Sequence, residues 1–297
     1  MRILMLTYER GVDLEDFTLP TGKRIQHQVM YTDCNEIEKE GLGTVLAWIR
    51  EFKPELIIER EFNDGKAIYT DILNEFPNVK KAAWLIDTHC SWERHSQYAK
   101  QFDYIFLAIS KFVEPIKKAV EHDRVYWLPL CYPTKVSTIR PNYGPVKCPV
   151  SFVGRFGKSH PTRTLYLSAL AERYGGDFLC VTDYDRANAI IRSSKISFNY
   201  SLDDDLNFRV WEVLGAGTEL VTDSVTDLHK VKGLEHRVHV FKNIDEMIEL
   251  TDRILADDPS TTKNALDNQN WVKQKHCLIH RHLAMLDMIE HGSQHEY

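Results

Sequence analysis

The sequence predicts an α/β protein made of two Rossmann-like domains, and three observations carry that expectation. Short apolar runs alternate with amphipathic segments along the whole chain, which is the pattern of βαβ units around a parallel sheet. The 297 residues, 43% hydrophobic and 27% charged, are enough for two domains of about 150 residues each. The alternation breaks once, between Pro133 and Pro149, where Pro141, Gly144 and Pro145 oppose regular structure, and then it restarts. The expected division is a first domain over 1–132, a linker over 133–149, a second domain over 150–260 and a helical segment over 261–297.

In the first half, strands are expected near 2–7, 27–32, 55–60, 81–87, 103–109 and 125–130. Helices fit between them near 35–52, 65–76, 92–101 and 111–120. The segment 35–52 repeats Ile37, Gly41, Val45, Trp48, Ile49 and Phe52 at helical spacing, and Lys53-Pro54 ends it. In the second half, strands are expected near 150–154, 177–182, 196–200, 219–222 and 237–241, with helices near 161–174, 184–194, 207–216 and 243–257. From Thr261 to about His291 the chain reads as helical, carrying Trp271, Val272, Leu278, Ile279, Leu283, Leu286 and Ile289.

Composition excludes several classes. No apolar run approaches the roughly 18 residues of a membrane span, and Met1–Thr7 is too short for a signal peptide, so a cytoplasmic protein is expected. A net charge of -6 disfavours a surface-wide nucleic-acid footprint while leaving room for a local basic cleft. The six cysteines have no CxxC spacing and read as free thiols. Of thirteen histidines, His276, His280, His282, His291 and His295 lie in the tail, where a solvated helix face is the expectation and no Cys or Asp completes a metal set. His27 and His122 have no partner pattern and read as ordinary.

The richest stretch runs from Lys195 to Asp223. It reads as a buried strand ending in Asn199, a polar loop, a helix opened by Asn207 and a second strand. Such a unit sets polar groups at the carboxyl ends of a parallel sheet, where ligands of open α/β sheets bind. Arg209 and Glu212 are one turn apart and share a face, a cation for phosphate oxygens and a carboxylate for ribose hydroxyls. The plainer reading is an exposed ion pair worth a few tenths of a kcal/mol or so. Phe208, Val210, Trp211, Val213 and Leu214 favour a buried helix, and a buried charge needs a partner or a ligand. Gly215 and Gly217 are expected to close the helix. Asp203, Asp204 and Asp205 read as a solvated loop ahead of it.

Further sites follow other strands. Val153-Gly154-Arg155-Phe156-Gly157-Lys158 precedes a helix starting near Pro161; close backbone approach at glycine with Arg155 and Lys158 nearby makes an anion site. It lacks the full dinucleotide fingerprint, so a generic strand-to-helix turn competes. Trp84-Leu85-Ile86-Asp87-Thr88-His89 is an apolar strand ending in acid, hydroxyl and imidazole. Asp87 is the leading general base and His89 the second, with Glu93 and His95 in support; the plainer role for Asp87 is to cap the helix beginning near Trp92. Tyr8, Glu9 and Arg10 follow the first strand. Lys111, Lys117 and Lys118 form one helix face, solvated or a basic acceptor rim.

The Lys195–Asp223 stretch resembles the CgeB/YkvP-like glycosyltransferases, whose pattern is an apolar strand ending in Asn, then Asn-x-Arg-x-x-Glu, Ala/Gly-x-Gly and a Leu-x-Thr-Asp strand. Asp103–Ala108, Val150–Arg155 and Thr162-Arg163 extend the likeness over most of residues 80–225. The resemblance implies two Rossmann-like domains facing a cleft, the GT-B architecture, with a C-terminal helix crossing back to the first domain. It implies transfer of a sugar from a nucleotide-diphosphate sugar to a hydroxyl acceptor, with no cofactor and no bound metal. Gly154, Arg155, Lys158, Asn199, Asn207, Arg209 and Glu212 would bind the donor, Asp87 or His89 would act as base, and Tyr8, Glu9 and Arg10 would face the acceptor. Two alternatives stay open: a transferase acting on a hydroxylated base in viral DNA, which would have to be flipped out of a duplex, and a nucleotide-sugar-binding protein without catalysis.

Overall fold

The computed structural model describes residues 1–7, 16–18, 24–60, 67–132, 148–175, 179–180, 184–256 and 258–297. The chain divides into two compact units. One comprises Met1–Pro129 with Ile279–His295, the other Leu130–Leu278 with Glu296 and Tyr297. The chain thus returns to the first unit for its last long helix. The linker expected over 133–149 falls almost wholly outside the described residues.

The first unit contains β1 (Arg2–Leu6), a short antiparallel ribbon of β2 (Asp16–Thr18) and β3 (Arg24–Gln26), β4 (Gln28–Thr32), α1 (Cys34–Glu40), α2 (Leu42–Phe52), β5 (Leu56–Arg60), α3 (Ala67–Glu75), β6 (Lys80–Leu85), α4 (Trp92–Tyr98), β7 (Tyr104–Leu107), α5 (Val113–Val120) and β8 (Val125–Trp127). Its main sheet is parallel throughout, in the order β4-β1-β5-β6-β7-β8. Helices cover such a sheet on both faces, so its strands are continuous apolar runs rather than alternating ones. Leu4, Leu6, Ile57, Leu85, Ile105 and Leu107 accordingly share one core with Ile37, Val45 and Ile49 from the helices.

Residues 35–52 form two helices, not the single one expected. Asp33 caps α1 by accepting the Glu36 N–H at 2.8 Å. Gly41 then takes φ +83°, a left-handed value at which a side chain would be strained, and its carbonyl accepts the Thr44 and Val45 N–H groups of α2. The helical spacing of apolar residues passes through this break, because α2 starts at the residue immediately after it.

The second unit contains β9 (Cys148–Val153), α6 (Pro161–Tyr174), β10 (Leu179–Cys180), α7 (Tyr184–Arg192), β11 (Ser194–Asn199), α8 (Phe208–Ala216), β12 (Glu219–Asp223), β13 (His239–Phe241), α9 (Ile244–Ala256) and α10 (Asp258–Lys275). Its sheet is also parallel, in the order β10-β9-β11-β12-β13. Phe152, Phe198, Val221 and Phe241 pack with Leu167, Leu170 and Met247 beneath the helices. After α10 the chain breaks at His276-Cys277, and α11 (Leu278–His291) follows.

That break overturns the solvated tail for His276 and His282, while His291 and His295 are exposed as expected. His276 is buried between Trp211 and Trp271, with ring centroids 4.9 and 4.0 Å away. His282 is also buried, edge-on to Trp84 at 6.4 Å. Read as one uninterrupted helix, the tail puts His276 and His280 on one face; the break separates them. Among the described residues no helix is long and apolar enough to cross a membrane.

Candidate functional site

In the second unit β10 and β11 lie on opposite sides of β9, so successive connections from β9 leave in opposite directions. Ligands of open α/β sheets bind outside the carboxyl ends of the strands at that switch point. The residues there are Gly154 after β9 and Asn199-Tyr200-Ser201 at the end of β11. Gly154 has φ +153° and a Cβ on it would lie 2.9 Å from the Phe152 ring, so no other residue fits without displacing that ring. Gly157, at φ +105°, completes the turn, and its N–H bonds Thr164 Oγ1 at 2.7 Å. Pro161 opens α6, where its missing N–H and fixed φ suit the first helical turn.

The sequence-predicted donor residues make three separate sets of contacts: Asn199 with Asn207, Arg209 with Glu212, and the Arg155 carbonyl with Arg163. Asn199 Nδ2 donates to Thr222 Oγ1 at 3.0 Å, and Asn207 Nδ2 donates to Asn199 Oδ1 at 3.3 Å. Asn207 stands at the N-cap of α8 without capping it, and its amide oxygen is buried with no hydrogen-bond partner among the described residues. Two and five residues on, Arg209 Nη1 and Glu212 Oε2 pair at 2.6 Å with side chains only 19% and 14% exposed. Burial raises the Glu212 carboxyl above its usual range, and Arg209 opposes that rise. The plain surface ion pair is therefore not what the fold builds. The Arg155 carbonyl of the β9 turn is tied to the end of β11 through Arg163, as described next. Lys158 is exposed on the same turn.

The sequence reading names Arg163 and Asp223 only as parts of the resembling pattern and gives neither a role in the site. Arg163 is buried on α6, with Nε and Nη2 donating to the Tyr200 carbonyl at 3.1 and 2.6 Å and Nη1 to the Arg155 carbonyl at 2.9 Å. Asp223 accepts the Ser201 N–H at 2.8 Å, and burial raises its carboxyl while that bond and Thr222 lower it. A signal for Arg163 was present: with Leu167 and Leu170 it falls on the inward stripe of α6, where a guanidinium must have partners.

Two expectations near α8 need correction. Gly215 does not close the helix; it lies inside it, against the Tyr132 ring, and Gly217 alone is the left-handed C-cap at φ +73°. The acidic loop is not uniformly solvated either. Asp203 is exposed, Asp204 accepts the Thr226 N–H at 2.7 Å, and Asp205 is buried. Asp203 and Asp204 both have positive φ, which folds the loop back on itself and turns the third aspartate inward.

In the first unit Asp87 and His89 follow β6 at its carboxyl end. Asp87 is exposed and His89 half-buried. The helix after them is capped at Ser91, so Asp87 does not have the capping role; its carbonyl instead accepts the Cys90 N–H at 3.0 Å. His95, expected to support the base, is buried, with Nδ1 3.1 Å from the Thr88 hydroxyl. Burial, with Arg94 and His89 nearby, lowers it to about 4, so it is neutral near pH 7 and orients Thr88. Glu93 is exposed. Tyr8, Glu9 and Arg10 lie outside the described residues.

Comparison with known proteins agrees with this architecture. Residues 162–287 match a family model described as glycosyl transferase-like. A search of curated proteins gives no match. Anabaena Alr3699/HepE, solved in complex with UDP-glucose, is 12% identical with a TM-score of 0.59, over 98% of this chain and 99% of that one. A glycosyltransferase from Rickettsia africae ESF-5 is 9% identical with a TM-score of 0.59, over 91% and 86%. Sucrose-phosphate synthase (tll1590) from Thermosynechococcus elongatus is 11% identical with a TM-score of 0.54, over 94% and 85%. The chain has the α/β fold of GT-B glycosyltransferases, and most of the residues that match the glycosyl transferase-like model lie in its second unit.

Proposed function

We propose that the protein is a glycosyltransferase that moves a sugar from a nucleotide-diphosphate sugar to a hydroxyl acceptor. One observation carries the reading: at the switch point of the second unit, α8 buries Arg209 and Glu212 beside an Asn207 oxygen that has no partner. A buried acceptor left unpaired costs about 1–3 kcal/mol, and a hydroxyl of a bound ribose or sugar removes that cost. Glu212 is a second acceptor for the same ligand, and Arg209 is a cation for its phosphates. The neighbour solved with UDP-glucose supports this class of donor, and the CgeB/YkvP-like motif is the finer family reading.

The reaction breaks the bond between the anomeric carbon and the diphosphate while the acceptor oxygen bonds to that carbon. Negative charge grows on the leaving diphosphate, and the cations Arg155, Lys158 and Arg209 stabilise it, Arg209 being held in place by Glu212. The acceptor hydroxyl loses its proton to Asp87, or to His89. Positive charge for the leaving group is thus supplied by side chains, so turnover is expected to survive EDTA. A cytoplasmic location belongs to the same proposal.

The test is a thermal-shift screen against a panel of nucleotide sugars, since a donor bound only by the folded state raises the melting temperature. No shift with any of them would refute the reading. A shift without transfer to any hydroxyl acceptor would identify a binding protein instead.

A further inference from the structure

The Arg163 guanidinium reaches two loops at once, the turn after β9 and the residues that end β11. Its effect on each follows from peptide geometry. The described peptide bonds are all trans, so a carbonyl and the N–H of the following residue point in opposite directions. At Tyr200-Ser201 the carbonyl faces the buried Arg163 and the N–H faces the half-buried Asp223, so this peptide is held on both sides by charged groups. At Arg155-Phe156 the carbonyl likewise faces Arg163. The Phe156 N–H must then point away from the guanidinium, and among the described residues it bonds to nothing.

We infer that Arg163 is a positioning residue of the donor site: it turns the Arg155-Phe156 peptide so that the Phe156 N–H faces outward as a donor to a diphosphate. The inference rests on reading the second unit as the diphosphate-binding one. Arg163 makes this contact possible without touching the ligand, since its bonds go to the carbonyls behind the turn. Gly154 works with it. The Phe152 ring packs beneath that glycine and lies 5.6 Å from the guanidinium carbon, so the turn is seated on the ring and tied from one side. Lysine keeps the charge, but its single ammonium lacks the planar fork that spans two carbonyls.

Inorganic pyrophosphate tests this without knowledge of the sugar or base. With 15N-phenylalanine the thirteen Phe amides are few enough to resolve, and Phe156→Leu identifies the relevant signal. In the native protein the Phe156 amide is expected to exchange rapidly with solvent, then to shift and become protected as pyrophosphate saturates the site. In Arg163→Lys that response is expected to vanish and pyrophosphate affinity to fall by about tenfold, the loss of roughly one charge-assisted bond. The other Phe signals report whether the variant is folded. The native measurement stands alone if it is not. A Phe156 amide indifferent to pyrophosphate, or a folded Arg163→Lys that keeps both response and affinity, would overturn the inference. A full Phe156 response in a protein that transfers no sugar would instead leave it standing and remove the proposed activity.

Discussion

Tyr132 lies against α8 so closely that a Cβ on Gly215 would sit 2.3 Å from its ring. Tyr132 is itself fixed, fully buried and with its N–H on the His276 carbonyl at 2.8 Å. The segment entering the second unit and the break after α10 are thus packed and hydrogen-bonded side by side, and α8 is held against them by a residue with no side chain.

Gly215→Ala is therefore expected to destabilise the protein by about 1–3 kcal/mol, the usual cost of forcing atoms into a filled core. Gly43→Ala is the control. It lies in α2 with open space around it, where alanine is worth about 0.5–1 kcal/mol over glycine, so its melting temperature should rise. Chemical denaturation of both variants checks the opposite signs. A stable Gly215→Ala would show that Tyr132 yields easily.

Glu212→Ala is expected to fold and to lose nucleotide-sugar affinity by at least about tenfold, because a charged acceptor is removed from the ligand. Calorimetric titration measures it. Acid should weaken binding in the native protein for the same reason, since protonated Glu212 has one acceptor fewer, and because burial raises this carboxyl the loss should begin at a higher pH than for an exposed glutamate. Affinity unchanged by the substitution would remove Glu212 from the site.

Asp87→Asn is expected to cut sugar transfer by about a hundredfold or more while leaving donor affinity nearly intact, since the amide keeps the shape but takes no proton at neutral pH. If His89 is the base, His89→Ala shows that loss and Asp87→Asn retains most of its rate. Steady-state transfer assays separate the two. Should neither variant slow transfer by about tenfold, a retaining mechanism becomes the working alternative, visible in the anomeric coupling of the product.

Glu59 gives a pH signature unrelated to the donor. It is buried on β5, accepts the Tyr98 hydroxyl, and burial raises its carboxyl to about 7 from 4.5. The neutral form is favoured in the fold, so this contribution is complete below pH 4.5 and is lost as pH rises to about 7, with no further change above. On the order of 3 kcal/mol is involved, at 1.36 kcal/mol per unit. Glu59→Gln keeps an acceptor for Tyr98 and cannot ionise. Its stability relative to the native protein should therefore grow between pH 5 and pH 8, as urea denaturation at the two values would show; a constant difference would contradict the assignment.

Much of this architecture was legible in the chain. Buried parallel strands such as Ile3–Leu6 and Tyr104–Leu107 are continuous apolar runs, and the turn chemistry of Gly154 and Pro161 marks where a strand ends and a helix begins. Asn207, Arg209 and Glu212 were readable because a helix rich in buried apolar residues makes its few polar ones conspicuous. Other features gave a weaker signal or none. Gly41 sits in an unbroken apolar rhythm, because a helix that restarts at once barely changes the spacing. Gly215 looks like a terminator in sequence, and only the ring packed on it shows why a side chain is excluded.

What the sequence determined by itself is periodic and local: which segments are strands, which are helices, where the apolar stripes run, and which polar residues interrupt them. These follow from backbone geometry and from the period with which side chains meet water. Tertiary structure decided the rest, because it depends on partners distant in sequence. Arg163 became a clamp only when α6 packed beside the ends of β9 and β11, bringing the carbonyls of Arg155 and Tyr200, 8 and 37 residues away, within reach of one guanidinium. His276 became part of an aromatic stack only when the break after α10 set it between Trp211 and Trp271. No periodicity encodes such a meeting, since it is fixed by how filled volumes and unmet hydrogen bonds are satisfied across the whole unit.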